Sequence, residues 1–166
     1  ASMLHDIGKL GVGNPTLHKS GELSATEVDL IKLHPTLGAR ILSGLEIFSD
    51  VVPMVLHHHE WVNGNGYPDG LKGKAIPLAS RIIAVADVYD SLISDRPYRQ
   101  AMDWSAAVDE LRRAAGTQLD ASLVRLWLRY LGDDRPVDRS VSAGGQADGR
   151  GDGLSLIHIS EPTRPY

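Results

Sequence analysis

Residues 78–93 read Leu-Ala-Ser-Arg-Ile-Ile-Ala-Val-Ala-Asp-Val-Tyr-Asp-Ser-Leu-Ile. The middle of this run is apolar nearly all round. A helix of that kind is expected to be buried on most sides. Asp87 interrupts the run. Burying an unpaired carboxylate is costly enough that a cation or hydrogen bonds must compensate it. A metal ion is one answer, and Arg81 or a buried polar network is another; spacing does not choose between them. Asp90 lies one turn on, as an acceptor behind a ligating histidine or as a helix-stabilising or loop-pinning group.

The rest of the chain also reads as helical. Residues up to Lys9 resemble the end of a helix broken by Gly8 and Gly11, and a loop with Pro15 and Gly21 follows. Ser24-Ala25-Thr26-Glu27 is a capping box, so a helix starts after Ser24. Pro35 suits the first turn of another, reaching about Leu42. Asp50 is placed to cap a helix through Val55 to His59. Residues 62–77 hold four glycines and two prolines and read as a structured loop. Asp103 and Asp120 are N-caps for two further helices, which Gly116 and Gly132 end. The expectation is an all-α multi-helix bundle over residues 1–132.

Beyond Gly132 the composition shifts to Gly, Asp, Arg and Ser, and residues 133–153 are expected to be disordered. Residues 154–166 look like the in-frame translation of a sequencing adapter; the alternative is an apolar tail that docks on a partner. With 166 residues the chain suits one domain. The absence of cysteine excludes disulfides, iron–sulfur clusters and thiolate zinc, so any metal is held by imidazole and carboxylate. A net charge of -4 gives no support for binding along a DNA backbone. No apolar run reaches the length of a membrane span, and no signal peptide opens the chain. A cytoplasmic domain without direct membrane contact is expected.

Histidines and acids occur in a suggestive order. His5 and Asp6 are neighbours, about 100° apart if helical. An aspartate can bridge two metal ions, which an imidazole cannot. Lys9, four residues after His5, is placed to reach a phosphate. His34 precedes Pro35. Three adjacent helical residues cannot all point one way, so His58 and His59 are the candidates to reach different metals, and His57 is the structural member of the triple. A surface histidine run does not account for the Gly-rich loop that follows. Arg96 and Arg99 flank Pro97-Tyr98; the guanidinium fork suits phosphate, and solvent exposure or a salt bridge to Asp90 or Asp95 is the plainer reading.

His5-Asp6-Ile7-Gly8-Lys9, His34-Pro35 with Gly38, the 58–68 loop, Ile76-Pro77-Leu78, Asp87-Val88-Tyr89-Asp90 and Asp95-Arg96-Pro97-Tyr98-Arg99 occur in one order. Together they resemble the HD-GYP domain, a branch of the HD phosphohydrolase superfamily, over roughly residues 1–131. Gly66-Tyr67-Pro68 separates this branch from other HD hydrolases. The resemblance implies an all-helical domain that hydrolyses cyclic di-GMP with two or three divalent metals, commonly iron or manganese. It implies His5, Asp6, His34, His58, His59 and Asp87 as metal ligands, with Asp6 bridging. It implies Asp6 and Lys9 as catalytic, with Lys9, Arg96 and Arg99 on the substrate phosphates. Gly66, Tyr67 and Pro68 are implied as a substrate-side surface that also meets GGDEF-type or other signalling proteins. Metal-assisted attack by water on phosphorus would give pGpG, and in some members GMP.

Two departures are visible. Family members carry helices and one or two ligands before the His-Asp pair, and a sensory or receiver domain before those; this sequence is expected to be a fragment lacking them. Asn63 stands where the loop usually has aspartate, which keeps hydrogen-bonding capacity and loses charge. The rival readings are another HD hydrolase of nucleotides or phosphoesters, and a catalytically silent module that binds cyclic di-GMP or a partner.

Overall fold

The computed structural model describes residues 2–13, 23–95, 100–133, 135 and 137. Arg96, Arg99 and the segment after residue 137 lie outside these, so the expectations for two phosphate-binding arginines, a disordered tail and an adapter segment fall outside them too. Six α-helices are present among the described residues: α1 (Ala25–Ile31), α2 (His34–Ser43), α3 (Val52–Leu56), α4 (Leu78–Ile93), α5 (Trp104–Ala114) and α6 (Ala121–Tyr130). Short 3-10 turns cover Ile7–Gly11, Glu46–Phe48 and Gly73–Ala75. No β-strand occurs among the described residues; Ala115 and Leu119 form an isolated bridge. No helix among them is long and apolar enough to cross a membrane.

Local chemistry sets three helix starts as expected. Ser24 Oγ accepts from the Glu27 amide at 3.3 Å, and the Ser24 amide donates to Glu27 Oε2 at 2.7 Å. Asp103 accepts from the Ala106 amide at 3.0 Å, and Asp120 from the Ser122 amide at 2.8 Å. Each such cap stabilises its helix by about 1 kcal/mol. Gly116 and Gly132 follow α5 and α6 with φ of +82° and +84°, a backbone conformation that favours glycine.

Helix α4 is central to the larger core. Val85, Val88 and Leu92 pack with Ala107, Val108 and Leu111 of α5 and with Val124 and Leu128 of α6. Arg81 leaves this helix to bind Asp120 Oδ2 at 2.6 Å, and its Nε donates to the Ile76 carbonyl at 3.1 Å. Arg81 is thereby removed as the partner of Asp87, leaving a metal ion or a polar network, and the carboxylate is only partly buried, its side chain 37% exposed. Asp90 is exposed and accepts a long 3.4 Å hydrogen bond from Ser94, which is the helix-end role rather than the one behind a histidine. The domain also runs past Gly132. Val137 joins the core, and Asp133, 5 % exposed, pairs with Arg112 at 2.8 Å.

Four features of the smaller half differ from what the sequence predicts. His5 and Asp6 are not in an α-helix; they lie in turns that lead into the 3-10 turn Ile7–Gly11. Gly8 does not break this element but allows it to dock. A Cβ at position 8 would overlap the His34 carbonyl and the Gly38 amide, so only glycine lets the turn lie against the start of α2. Asp50 does not cap α3, whose N-cap is Val51 with no side-chain hydrogen bond. That helix stops at Leu56, before the three histidines. Part of the reason is local: His58 Nδ1 donates to the Val55 carbonyl at 2.6 Å, taking the acceptor that the amide of residue 59 would use in a longer helix.

Candidate metal centre

Four elements converge on one point. The turn before Ile7 brings His5 and Asp6, the first residue of α2 is His34, the turn after α3 carries His58 and His59, and α4 supplies Asp87. Donor atoms of Asp6, His34, His58 and His59 all lie within 4.8 Å of one another. His5 Nε2 is 3.4 Å from Asp6 Oδ2 and 4.0 Å from Asp87 Oδ1. The six candidate ligands of the sequence are thus neighbours in space, though they span more than eighty residues of chain.

Hydrogen bonding orients the rings. Nδ1 of His34 donates to the Ile31 carbonyl at 2.8 Å, Nδ1 of His58 to Val55, and Nδ1 of His5 to Ser2. A carbonyl can only accept, so each bond assigns a proton to Nδ1 and turns Nε2 inward. His34 Nε2 is then 3.2 Å from both His58 Nε2 and His59 Nε2, and 3.3 Å from Asp6 Oδ1. Lone pairs and a carboxylate that close together repel unless a cation lies among them, either a proton on one ring or a metal ion. Imidazole and carboxylate donors in this arrangement fit a hard-to-borderline divalent metal.

Protonation states at His58 and His59 agree with that chemistry, whereas at His5 burial is outweighed by the hydrogen bond and charge of Asp6, which raise the ring above its ordinary value. Burial pushes His58 down to about 3, with the neighbouring His34 charge acting the same way. Burial also carries His59 well below its ordinary value, helped by His58 and His34. Both are therefore neutral at pH 7, as a metal ligand must be. Burial works to raise Asp6, but hydrogen bonds from His34 and His5 and the charge of Lys9 outweigh it and hold the carboxyl well below the usual range. Lys9 Nζ lies 2.7 Å from Asp6 Oδ2, so the expected phosphate contact begins here as a partner of the central carboxylate.

A pH prediction follows. His58 and His59 have folded pKa values below the unfolded value of about 6.5, so the unfolded chain binds protons that the folded chain refuses. With a chelator present, stability is expected to fall as the pH drops from about 6.5 towards 4. Urea denaturation across that range measures it; a midpoint independent of pH would contradict these protonation states.

The Gly-rich loop is pinned to the ligands. A Cβ on Gly66 would overlap the Trp61 amide and crowd Glu60 Cα and the His59 carbonyl, so the loop folds directly onto the histidine segment. Tyr67 stacks on His59 with ring centroids 5.0 Å apart. Glu60, 3 % exposed, accepts from the amides of Asp69 at 2.7 Å and Leu71 at 3.0 Å. Asn63 Oδ1 accepts from the Asn65 amide at 2.9 Å, a bond that does not require the charge of an aspartate. The Val62 and Asn63 amides donate to the carbonyls of Gln118 and Thr117. His57 points away from the metal ligands, its Nδ1 3.7 Å from Asp69 and 3.8 Å from Glu60. Glu60 was not singled out in the sequence; its sign was an acid directly after the histidines and before a glycine-rich turn. Glu60→Gln replaces one accepting oxygen with an NH2 that faces a donor. A loss of about 1–3 kcal/mol is expected in denaturant unfolding.

The model of the HD domain family matches residues 1–123. This chain belongs to that family. It is 44% identical over 131 residues to the cyclic di-GMP phosphodiesterase response regulator RpfG of Xanthomonas campestris, covering 78% of this chain and 35% of that protein. It is 42% identical over 135 residues to the cyclic di-GMP phosphodiesterase PA4108 of Pseudomonas aeruginosa, covering 80% and 32%. It is 41% identical over 120 residues to the 3'3'-cGAMP-specific phosphodiesterase 3 of Vibrio cholerae, covering 72% and 26%. The chain spans about a third or less of the length of these relatives. With the Gly66-Tyr67-Pro68 loop, the domain is of the HD-GYP type.

Proposed function

We propose that this domain is a metal-dependent phosphodiesterase that hydrolyses cyclic di-GMP to pGpG, and onward to GMP. The observation that carries this reading is the donor cluster of Asp6, His34, His58 and His59 within 4.8 Å, with Nε2 atoms turned inward by backbone carbonyls. These residues, with His5 and Asp87 beside them, would hold two or three divalent ions, iron or manganese. Bound metal supplies an acidified water and neutralises charge on the phosphoryl oxygens.

The chain's own groups do the rest. Asp6 stays ionised and would hold metal as the carboxylate of the donor cluster, the bridging role the family motif gives it. Lys9, held at Asp6, adds positive charge where the phosphoryl oxygens gather it. Gly66, Tyr67 and Pro68 form the substrate-side wall. Arg96 and Arg99 are carried from the family motif as further phosphate contacts. The setting is cytoplasmic second-messenger signalling, with GGDEF-type proteins meeting the Gly66–Pro68 loop and a receiver or sensory domain in the longer protein. The name of the Xanthomonas relative, a response regulator, supports that last point. The Vibrio relative supports a second reading, in which 3'3'-cGAMP is the substrate.

The test is to load the protein with iron or manganese, measure its metal content, and follow both cyclic dinucleotides by chromatography. Conversion of cyclic di-GMP to pGpG is the expected result. Bound metal and bound dinucleotide without turnover would leave a silent binding module instead. Faster turnover of 3'3'-cGAMP would select the second reading.

A further inference from the structure

Lys32 is the C-cap residue of α1, two positions before His34. Its Nζ lies over the Tyr67 ring, 5.8 Å from the centroid. Tyr67 in turn stacks on His59, one of the four clustered metal-ligand candidates. A lysine from one side of the site and an aromatic ring from the glycine-rich loop on the other therefore meet beside the metal centre.

The form of this contact matters. A carboxylate partner would neutralise the ammonium and occupy its hydrogen atoms. An aromatic face attracts the cation through its quadrupole and leaves the charge and the donors available. Lys9 and Arg81 are committed to Asp6 and Asp120, whereas Lys32 has no carboxylate within ion-pair distance among the described residues. It is an oriented, uncancelled positive charge at the edge of a site read as binding a phosphodiester.

A cyclic dinucleotide carries two phosphodiesters, held apart by its two riboses. While one lies at the metal cluster the other must lie outside it, and its negative charge needs a partner there. We propose that Lys32, held over Tyr67, is a specificity-determining residue that takes the second, unreacted phosphate of the substrate. This rests on the phosphodiesterase reading above and adds to it. It explains how the site would prefer a substrate with two phosphates to a simple diester.

The test compares the metal-loaded protein with Lys32→Met, which keeps the stem and loses the charge, and with Lys32→Arg, which restores the charge. KM and kcat are measured for cyclic di-GMP and for bis(p-nitrophenyl) phosphate, which has one diester. Affinity for cyclic di-GMP is measured separately by calorimetry. Loss of one charge-assisted phosphate contact corresponds to roughly tenfold in affinity. Lys32→Met is therefore expected to raise KM and Kd for cyclic di-GMP by about tenfold more than KM for the single diester, and Lys32→Arg to recover most of the difference. Equal changes for the two substrates, or an unchanged Kd, would overturn the proposal and leave the phosphodiesterase reading in place. If the unaltered protein hydrolyses the single diester but neither binds nor cleaves cyclic di-GMP, the substrate reading fails and this subsite fails with it.

Discussion

Asp6→Ala is expected to lose metal and to lower phosphodiester turnover by well over a hundredfold. Removing a group that only orients a metal ligand costs about 10–100-fold, and Asp6 stands inside the donor cluster rather than behind it. Its Oδ1 is 3.3 Å from His34 Nε2, and its Oδ2 is 2.7 Å from Lys9 Nζ and 3.4 Å from His5 Nε2. No other carboxylate joins that four-residue cluster among the described residues. Without Asp6, three imidazoles remain beside a lysine whose charge has lost its partner. Asp6→Asn keeps the size and one accepting oxygen, so it separates loss of charge from loss of packing. Both variants should remain folded, since the side chain is about a third exposed. Metal analysis with steady-state kinetics gives the answer. Retained metal and turnover within a fewfold of the original would remove Asp6 from the site.

Gly8→Ala is expected to be more damaging to the fold than any other single methyl group added to this half of the domain. The new Cβ would overlap the His34 carbonyl and the Gly38 amide, both backbone groups that no rotamer change can move. Overpacking of side chains costs about 1–3 kcal/mol, and a clash with two backbone groups belongs at or beyond the top of that range. The chain's escape is to lift the turn Ile7–Gly11 off α2. That movement would carry His5 and Asp6 away from His34, so metal affinity should fall along with stability. Gly11→Ala is the comparison. Its Cβ would meet Leu37 Cδ1 at 2.9 Å, the far end of a flexible side chain, and a small effect is expected. Denaturant unfolding and metal titration of the two variants separate the cases. Equal effects would mean that the close approach at Gly8 does not hold the site together.

Much of the helical framework was legible because its causes are local. A capping box at Ser24 and aspartate caps at Asp103 and Asp120 act over three or four residues. The apolar run of α4 announces a helix without reference to any partner, but not burial on most sides: Ile83, Val85, Val88 and Leu92 are buried, whereas Leu78, Ile82 and Ile93 are exposed. The six candidate ligands came from motifs that occur in one order, and the fold brings donor atoms of four of them within 4.8 Å of one another. What misled was the assumption that adjacent site residues share a helix. His5–Asp6 and His57–His59 both lie in turns. A turn frees neighbouring side chains from the fixed 100° step, and it allows His58 and His59 to face one cluster.

By itself the sequence determined three helix starts, at Ser24, Asp103 and Asp120, the helix over 78–93, the cysteine-free donor set and the glycine-rich loop, since each depends on residue type and short-range geometry. Only the tertiary structure decided which charges meet. Arg81 went to Asp120 across α4 and α6, leaving Asp87 beside His5, and Lys32 came to lie over Tyr67 from a segment more than thirty residues earlier. Those pairings depend on how closely backbones approach, as at Gly8 and Gly66, and that is a property of packed elements rather than of any stretch of chain.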